Sequence, residues 1–205
     1  MVDKICDKLM DRVKAKMPEV DEERAEVIRY GFELIIGEVP KLLFMFLLAA
    51  ILGKFKYFLI SVLIICSYRI PSGGVHLKTH IGCTIATTSM YLGNVYISEI
   101  ITIPDGIIKS ILTVFVWIFA VWMIVLYAPA DTDTVPILVK KDRKRKKIIS
   151  IIIVSIILTT SIVTNNRVIS NMCIIGTFVQ TVTITKFIYK IFRVKLGYLE
   201  YTNGL

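Results

Sequence analysis

Charged residues are scarce in this chain of 205 residues: Asp, Glu, Lys and Arg together make up 20% of it. Hydrophobic residues make up 55% and the mean hydropathy is +0.70, whereas about 25% of an average soluble domain is charged. The apolar residues form long blocks and do not alternate as they do along strands. Only helices and closed barrels satisfy their backbone in lipid. The composition excludes an ordinary soluble domain and predicts an all-α protein that crosses the membrane several times.

Metal and disulfide chemistry have few candidate residues, because the chain has four cysteines and two histidines. No cysteine pair has a CxxC or other metal-binding spacing. Cys66 and Cys173 lie inside apolar blocks, where cysteine behaves as a small hydrophobe. His76, His80 and Cys83 could supply three zinc ligands, but no fourth ligand is evident. We therefore expect no disulfide framework, no metal and no cofactor.

The N-terminal segment lacks the apolar core of a cleavable signal peptide. The first hydrophobic helix is therefore expected to act as an uncleaved insertion signal. Apolar side chains recur at intervals of four over residues 2–17, which predicts an amphipathic helix; they are Ile5, Leu9, Val13 and Met17. Such a helix suits a bilayer surface or a second copy of the chain in a homodimer. We predict a cytoplasmic segment over residues 1–30 and a single membrane domain over 31–205.

Six apolar blocks follow, and each is a candidate transmembrane helix because a span needs about 20 residues. They cover residues 34–52, 55–68, 81–97, 107–127, 148–163 and 168–184. The second block is short, at about 21 Å for a rise of 1.5 Å per residue. It would span with Lys54 or Lys56 as snorkelling ends or in a thinned bilayer; the alternative is a re-entrant hairpin with the first block. We expect six spans.

Positive charge predicts the orientation. Six spans place the N-terminus, the 69–80 loop, the 128–147 loop and the C-terminal tail on one side. That side carries twenty Lys and Arg residues against four on the other, so the positive-inside rule makes it cytoplasmic. The run "KKDRKRKK", residues 140–147, is expected to set topology and to contact anionic lipids, at about 1 kcal/mol per residue. Nucleic acid is not an expected partner, because no recognition module accompanies the net charge of +9.

The stretch "RIPSGGVHLKTHIGC", residues 69–83, holds both histidines of the chain and a cysteine. Pro71 to Gly74 are turn formers, so the chain is expected to leave the second span there and reverse in an irregular loop. Cys83 lies near the start of the third span, where the helix dipole favours the nucleophilic thiolate. Free N–H groups around Gly73, Gly74 or the helix start could bind an oxyanion. The structural alternative is an inert cysteine, a solvated histidine and a simple turn.

Either histidine could act as the base. In one unbroken helix, positions 76 and 83 share a face but lie about 10.5 Å apart along the axis. Direct proton transfer needs about 2.6–3.2 Å between heavy atoms, so His76 would act only if the glycine-rich loop folds it back over the helix. His80, three residues before Cys83, is the closer local partner. Spacing alone leaves this choice open.

The pattern Arg69, Gly73-Gly74, His76 and Cys83, within six apolar blocks, resembles the accessory gene regulator protein B (AgrB) family. The stretch "YAPADTDTVPI", residues 127–137, is similar to the family's connection at the same place. The resemblance implies a cysteine endopeptidase of the bacterial cell membrane that processes a quorum-sensing precursor peptide of the AgrD type. It would cleave the C-terminal part of the precursor through a thioester and promote thiolactone or lactone formation.

The resemblance also implies roles for individual residues. Cys83 would be the nucleophile and His76 its general base, whereas His80 matches no motif position. Arg69, Gly73 and Gly74 would support the site by orientation or oxyanion binding. Only weak candidates exist for a third catalytic residue; they are Asp131, Asp133 and Ser89.

Precursors of this family resemble short amphipathic peptides with an acidic C-terminal region, so the basic run is expected to steer that region electrostatically. The candidate substrate-binding residues are Lys140, Lys141, Arg143, Lys144, Arg145, Lys146 and Lys147. The alternative is that this run sets topology only.

A small membrane transporter is the rival interpretation, and a structural assembly factor is a third. Glu38 and Pro40 in the first block, with Asn171 and Gln180 in the sixth, are intramembrane polar features of the kind that mark transport pathways. The absence of an internal repeat argues against a transporter, because transporters commonly have one.

Overall fold

The computed structural model describes residues 2–17, 21–75, 77, 79–131 and 139–194. Over these residues the protein is all-α, as predicted. Its helices are α1 (Val2–Lys16), α2 (Glu22–Ile51), α3 (Phe55–Ser72), α4 (His80–Ile100), α5 (Ile107–Tyr127), α6 (Lys140–Val163), α7 (Arg167–Thr183) and α8 (Lys186–Ile191). The chain forms two compact units, Met1–Gly53 and Lys54–Leu205.

The first unit pairs α1 with α2. Asp21 caps α2 by accepting a hydrogen bond from the N–H of Arg24 at 2.8 Å. On α1, Cys6 and Met10 are buried, whereas Met17, the residue after α1, is 49% exposed. The buried face is thus displaced from the predicted stripe. Side chains four residues apart drift by about 40° per step around a helix of 3.6 residues per turn, so such a stripe leaves one face within a few turns.

α2 is longer than the first apolar block. It runs for 30 residues with Pro40 inside it, so the block forms the C-terminal part of a longer helix. The predicted boundary at residue 30 falls within this helix.

In the second unit α7 lies at the centre, because α3, α4, α5 and α6 all pack against it. Many of its buried side chains are small or polar, including Ser170, Asn171, Gly176, Thr177, Gln180 and Thr181. A Cβ on Gly176 would lie 2.9 Å from the side-chain nitrogen of Asn94 and 3.3 Å from atoms of Ile64 and Ile65. Glycine here permits the close approach of α7 to α3 and α4. Small and polar residues at helix contacts are typical of membrane bundles.

The outer faces of this unit are apolar. On α5, Ile107, Ile111, Phe115 and Trp122 are 59–78% exposed, a surface that water disfavours and lipid accommodates. Three helices of the described chain are long and apolar enough to cross a membrane: α3, α5 and α6. This supports a membrane protein. Six spans remain a prediction, because α4 carries several polar residues and α7 has only 17 residues.

Two predicted loops are partly helical. The chain was expected to turn from Pro71 onwards, but Pro71 and Ser72 form the end of α3. This lengthens the second span to 18 residues, about 27 Å. Likewise, residues 140–147, expected within the 128–147 loop, form the first turns of α6. In both places the helix continues from the apolar block into its polar flank, because the flank's main-chain hydrogen bonds extend those already formed.

The loops of the second unit are sorted to two ends. At one end, Lys54 before α3 forms an ion pair with Glu99 of α4 at 2.8 Å, and Arg167 of α7 donates to the main-chain oxygen of Glu99. At the other end, the α3–α4 connection meets the segment after α5 and the end of α7. The 73–75 and 128–131 segments therefore share one end of the bundle, as six spans require.

Candidate active site

Cys83 lies in the first turn of α4, which begins at His80. Thr79 caps the helix: its hydroxyl accepts from the N–H of Gly82 at 3.2 Å, and its carbonyl accepts from the N–H of Cys83 at 2.9 Å. The Cys83 sulfur is partly buried, 3.9 Å from the hydroxyl oxygen of Thr87, and is in no disulfide. The expected position at a helix N-terminus is found.

A cavity of about 460 Å³ lies beside Cys83. Its described lining comes from α3 and the following loop (Arg69, Val75, Leu77), from α4 (Cys83, Ala86, Thr87, Ser89, Met90), from α7 (Phe178, Val179, Val182, Thr183) and from α8 (Ile188, Phe192). The lining is mostly apolar, with the cysteine and one guanidinium among a few polar groups. Such a concave surface suits an apolar ligand held by a few polar contacts.

Arg69 ties the glycine-rich loop to the end of α7. Its Nη2 donates to the carbonyl oxygen of Val75 at 2.6 Å. Its Nη1 lies 3.3 Å from Oε1 of Gln180 and 3.5 Å from Oγ1 of Thr183. A guanidinium reaches several acceptors at once with a fixed planar geometry, which lysine lacks. Its predicted role in orienting the site is consistent with these contacts.

Gly73 and Gly74 occupy positions that other residues fill only with strain. Their φ angles are +72° and +147°, where L-residues are disfavoured. A Cβ on Gly73 would lie 2.3 Å from the carbonyl oxygen of Ala130, and one on Gly74 would lie 2.9 Å from Arg69 Nη1 and from Thr183 Oγ1. The loop therefore needs both glycines for close packing.

The N–H groups of these glycines are used within the fold. The N–H of Gly73 donates to the carbonyl of Arg69 at 2.8 Å, and that of Gly74 donates to the carbonyl of Ala130 at 2.9 Å. An oxyanion would have to displace these bonds. Of the two supporting roles predicted for the glycines, orientation fits this geometry more directly, and oxyanion binding stays a prediction.

The two sequence motifs lie in contact. Ala130 donates its N–H to the carbonyl of Ser72 at 2.8 Å and forms a β-bridge with Gly73. Tyr189 of α8 donates its hydroxyl to the carbonyl of Ala130 at 2.9 Å and lies 3.3 Å from that of Asp131. Burial raises the pKa of the Tyr189 phenol above its ordinary value of 10.0, so it remains a neutral donor at physiological pH.

Asp131 is occupied by an ion pair. Its Oδ2 lies 2.9 Å from Nη1 of Arg143, and the two side chains are 2% and 18% exposed. Arg143 Nη2 also donates to the carbonyl of Pro129 at 3.1 Å. A carboxylate held in this way stabilises the segment after α5, and its weak candidacy as a third catalytic residue stays a prediction.

The side chains of the basic run lie in different environments. Lys140, Lys141, Lys144 and Arg145 are exposed on α6, as a steering surface requires. Arg143 is held by Asp131, and Lys147 donates to the carbonyl of Val125 at 2.6 Å. Lys146 is half-buried.

Some predicted residues are not placed. His76 and Asp133 lie outside the described residues, as does the side chain of His80, so the choice between the histidines stays a prediction. Ser89 lines the cavity. No group of three or more His, Cys, Asp or Glu that could hold a metal occurs among the residues that are described.

Asn171 and Gln180, the two α7 residues that suggested a transport pathway, have structural partners. Asn171 donates to the carbonyls of Ser98 and Ile101 at 3.0 and 2.7 Å, which satisfies the end of α4. Gln180 donates to the carbonyl of Gly73 at 2.9 Å. The structure adds three residues to the site: Gln180, Thr183 and Tyr189. No local pattern in the sequence singled out the threonine or the tyrosine. The sequence interpretation had assigned Gln180 to a transport pathway.

Comparison with known proteins identifies relatives over most of the chain. The family model for AgrB, accessory gene regulator B, matches residues 3–184. A protein of Listeria innocua named as AgrB-like is 24% identical over 84% of this chain and 82% of its own length. Another of Clostridium acetobutylicum is 22% identical over 91% of this chain and 88% of its own length. No solved structure matches the chain.

Proposed function

The chain belongs to the accessory gene regulator B family, and we propose on that premise that it is a cysteine endopeptidase processing a quorum-sensing precursor peptide. The observation that supports this proposal most directly is the position of Cys83. It lies in the first turn of α4 and lines an apolar cavity that Arg69 also lines. A thiol at a helix N-terminus, beside a space that can hold a peptide, is the arrangement that thiol catalysis needs.

In the first step His76 takes the proton of the Cys83 thiol, and the sulfur attacks a carbonyl in the C-terminal part of the precursor. The carbon–nitrogen bond breaks, the imidazolium returns the proton to the departing amine, and the acyl group remains on the sulfur as a thioester. His76 takes this role from its match to the family motif.

In the second step a thiol or hydroxyl within the precursor attacks the thioester and gives its proton to His76. Cys83 leaves as a thiolate, and the product is a thiolactone or a lactone. Exchange between thioesters is nearly neutral in free energy, whereas peptide to thioester is uphill, so removal of the cleaved tail has to draw the first step forward. The apolar cavity would help by keeping water from the acyl-enzyme.

The remaining parts of this proposal concern the location of the site and the role of the basic run, residues 140–147. The excess of Lys and Arg favours a cytoplasmic site in the bacterial membrane. Lys140, Lys141, Lys144 and Arg145, exposed on α6, would attract both anionic lipids and the acidic region of the precursor. A homodimer through the N-terminal unit is part of the same proposal.

The transporter alternative has lost part of its support. Asn171 and Gln180 suggested a polar pathway, but both donate to main-chain carbonyls within the bundle. Buried amides used in this way are structural.

Co-expression with a precursor peptide tests the proposal. Cys83→Ala and Cys83→Ser should leave the precursor at full length by mass spectrometry, and His76→Ala should do the same. Cys66→Ala and Cys173→Ala are matched controls that should cleave normally. His80→Ala should also cleave, which distinguishes the two histidines. Normal cleavage by Cys83→Ala would contradict the peptidase assignment.

A further inference from the structure

Arg143 differs from its exposed neighbours in the basic run. Lys144 and Arg145, its neighbours on α6, are exposed. Arg143 instead binds the Asp131 carboxylate at 2.9 Å and the Pro129 carbonyl at 3.1 Å. Its guanidinium is therefore directed at the protein, and steering of a substrate does not account for its position.

The segment that Arg143 holds, residues 129–131, supports the glycine-rich loop. Ala130 accepts from the N–H of Gly74 at 2.9 Å and donates to the carbonyl of Ser72 at 2.8 Å. Tyr189 donates its hydroxyl to the same carbonyl of Ala130 at 2.9 Å. Movement of residues 129–131 would release both main-chain bonds to the loop.

The loop forms a wall of the Cys83 cavity. Val75 follows Gly74 directly and lines that cavity together with Arg69. The N–H of Val75 donates to the carbonyl of Thr183 at 3.1 Å, so the wall is held from α7 on one side and from residues 129–131 on the other.

We propose that Arg143, with Asp131, is a positioning pair that holds residues 129–131 against Gly73-Gly74 and thereby sets the wall of the cavity beside Cys83. Arg143 acts through the loop and touches no substrate. Its function in turnover rests on the proposed peptidase activity, whereas its function in holding the wall does not.

Two kinetic outcomes separate positioning from steering. Arg143→Gln and Asp131→Asn should each lower kcat by about 100-fold, the scale on which a small misplacement of reacting groups costs rate, with little change in KM. Arg145→Gln, the exposed neighbour, should raise KM and leave kcat unchanged. Peptide cleavage would be followed with the full chain in liposomes, as initial rates over a range of precursor concentrations.

A double variant tests whether the two residues act together. Because Arg143→Gln leaves the Asp131 carboxylate buried without its main partner, and the reverse holds for Asp131→Asn, the double variant should be no worse than either single variant. Additive losses in kcat would mean that the residues act separately and would overturn the pair.

Thiol labelling gives a readout that does not depend on cleavage. In a Cys66→Ala background, the rate at which iodoacetamide modifies Cys83 should rise several-fold with Arg143→Gln and stay unchanged with Arg145→Gln, as measured by mass spectrometry of peptides. Even if Cys83 is not the nucleophile, its labelling rate still reports whether the cavity wall beside it is held in place. Equal labelling rates in the two variants would overturn the proposal.

Milder variants keep the test open if the charge variants fold poorly. Arg143→Lys keeps the charge but loses the fork that reaches both Asp131 and Pro129. Tyr189→Phe removes only the hydroxyl that binds Ala130. Each should lower kcat and raise the Cys83 labelling rate by a smaller factor. Wild-type values for both variants would contradict a wall held through residues 129–131.

Discussion

Gln180, near the end of α7, donates its side-chain amide to the carbonyl oxygen of Gly73 at 2.9 Å. The same nitrogen lies 3.3 Å from the hydroxyl of Ser72, and the amide oxygen accepts from Arg69 at 3.3 Å. One buried amide thus binds the end of α3 and the first residue of the loop. The geometry beside Cys83 depends on partners that lie more than a hundred residues away in the chain.

Alanine at the paired glycines should damage the protein. Gly73→Ala and Gly74→Ala place a Cβ against Ala130 and against Arg69, respectively, at positive φ, so each should lower stability by about 1–3 kcal/mol. Gly73→Ala should be the worse, because its clash is with backbone. Melting temperature in detergent and precursor cleavage measure the effect.

Gly93 supplies the control for these two variants. It lies inside α4, and a Cβ there would meet no atom within 4 Å. Gly93→Ala should be neutral or stabilise by about 0.5–1 kcal/mol, as glycine in a helix interior is unfavourable. Similar melting temperatures for Gly74→Ala and Gly93→Ala would refute the packing argument.

A bulky side chain in the cavity should block the substrate. Ala86 lines the cavity, and Ile85 precedes it on α4 but does not line it. Ala86→Trp should therefore raise KM for the precursor by about tenfold, the effect typical of a changed apolar pocket, while Ile85→Trp should leave it unchanged. If both variants bind the precursor alike, the peptide does not occupy this cavity.

The ion pair between Lys54 and Glu99 should make stability fall at high pH. Its 2.8 Å hydrogen bond raises the pKa of Lys54 above the ordinary value of 10.5. A raised pKa in the folded state means that the contribution is present in full below pH 10.5 and is lost as pH rises through the folded-state pKa. Lys54→Met should lower the melting temperature at pH 8, and its difference from wild type should shrink above pH 10.5.

Lys56, exposed two residues further on, is the matched control for that measurement. Lys56→Met should follow the wild-type curve across the same pH range. A constant difference between Lys54→Met and wild type from pH 8 to pH 11.5 would show that the ion pair is not its cause.

The exposed part of the basic run should matter most at low salt. Replacing Lys140, Lys141 and Lys144 by Gln should raise KM for an acidic precursor. The increase should fade as ionic strength approaches 1 M, because the Debye length there is only about 3 Å and exposed charges are screened. Cysteine labelling of loop positions would check that topology is kept. An unchanged KM with intact topology would mean that these residues only set the orientation of the chain in the membrane.

Much of the fold follows from local patterns. The apolar blocks predicted where the helices of the second unit lie, since hydrophobicity and the length of a block are properties of neighbouring residues. The same patterns placed Cys83 at a helix start. They misjudged Pro71 and the basic run. α3 continues through Pro71 and Ser72, with Gly73 as its C-cap, and α6 includes the basic run, because extending a formed helix adds one hydrogen bond for each residue that is fixed.

The site was predicted less completely. The likeness of two short motifs to a known family selected Arg69, Gly73-Gly74 and Cys83, and the structure brings these residues together. It also reveals partners that carry no local signal, such as Thr183 and Tyr189. A threonine after an apolar run or a tyrosine in a basic tail is ordinary until its neighbour in space is known.

The order of residues alone determined a helical membrane protein, its basic run and the family likeness that singles out Cys83, because hydropathy and motif spacing are read along the chain. Only the tertiary structure decided which polar groups bind each other: that Arg143 holds Asp131, that Ala130 supports Gly74, and that a cavity opens beside Cys83. Hydrogen bonds and ion pairs between distant residues depend on how helices pack, and packing is a property of the whole bundle.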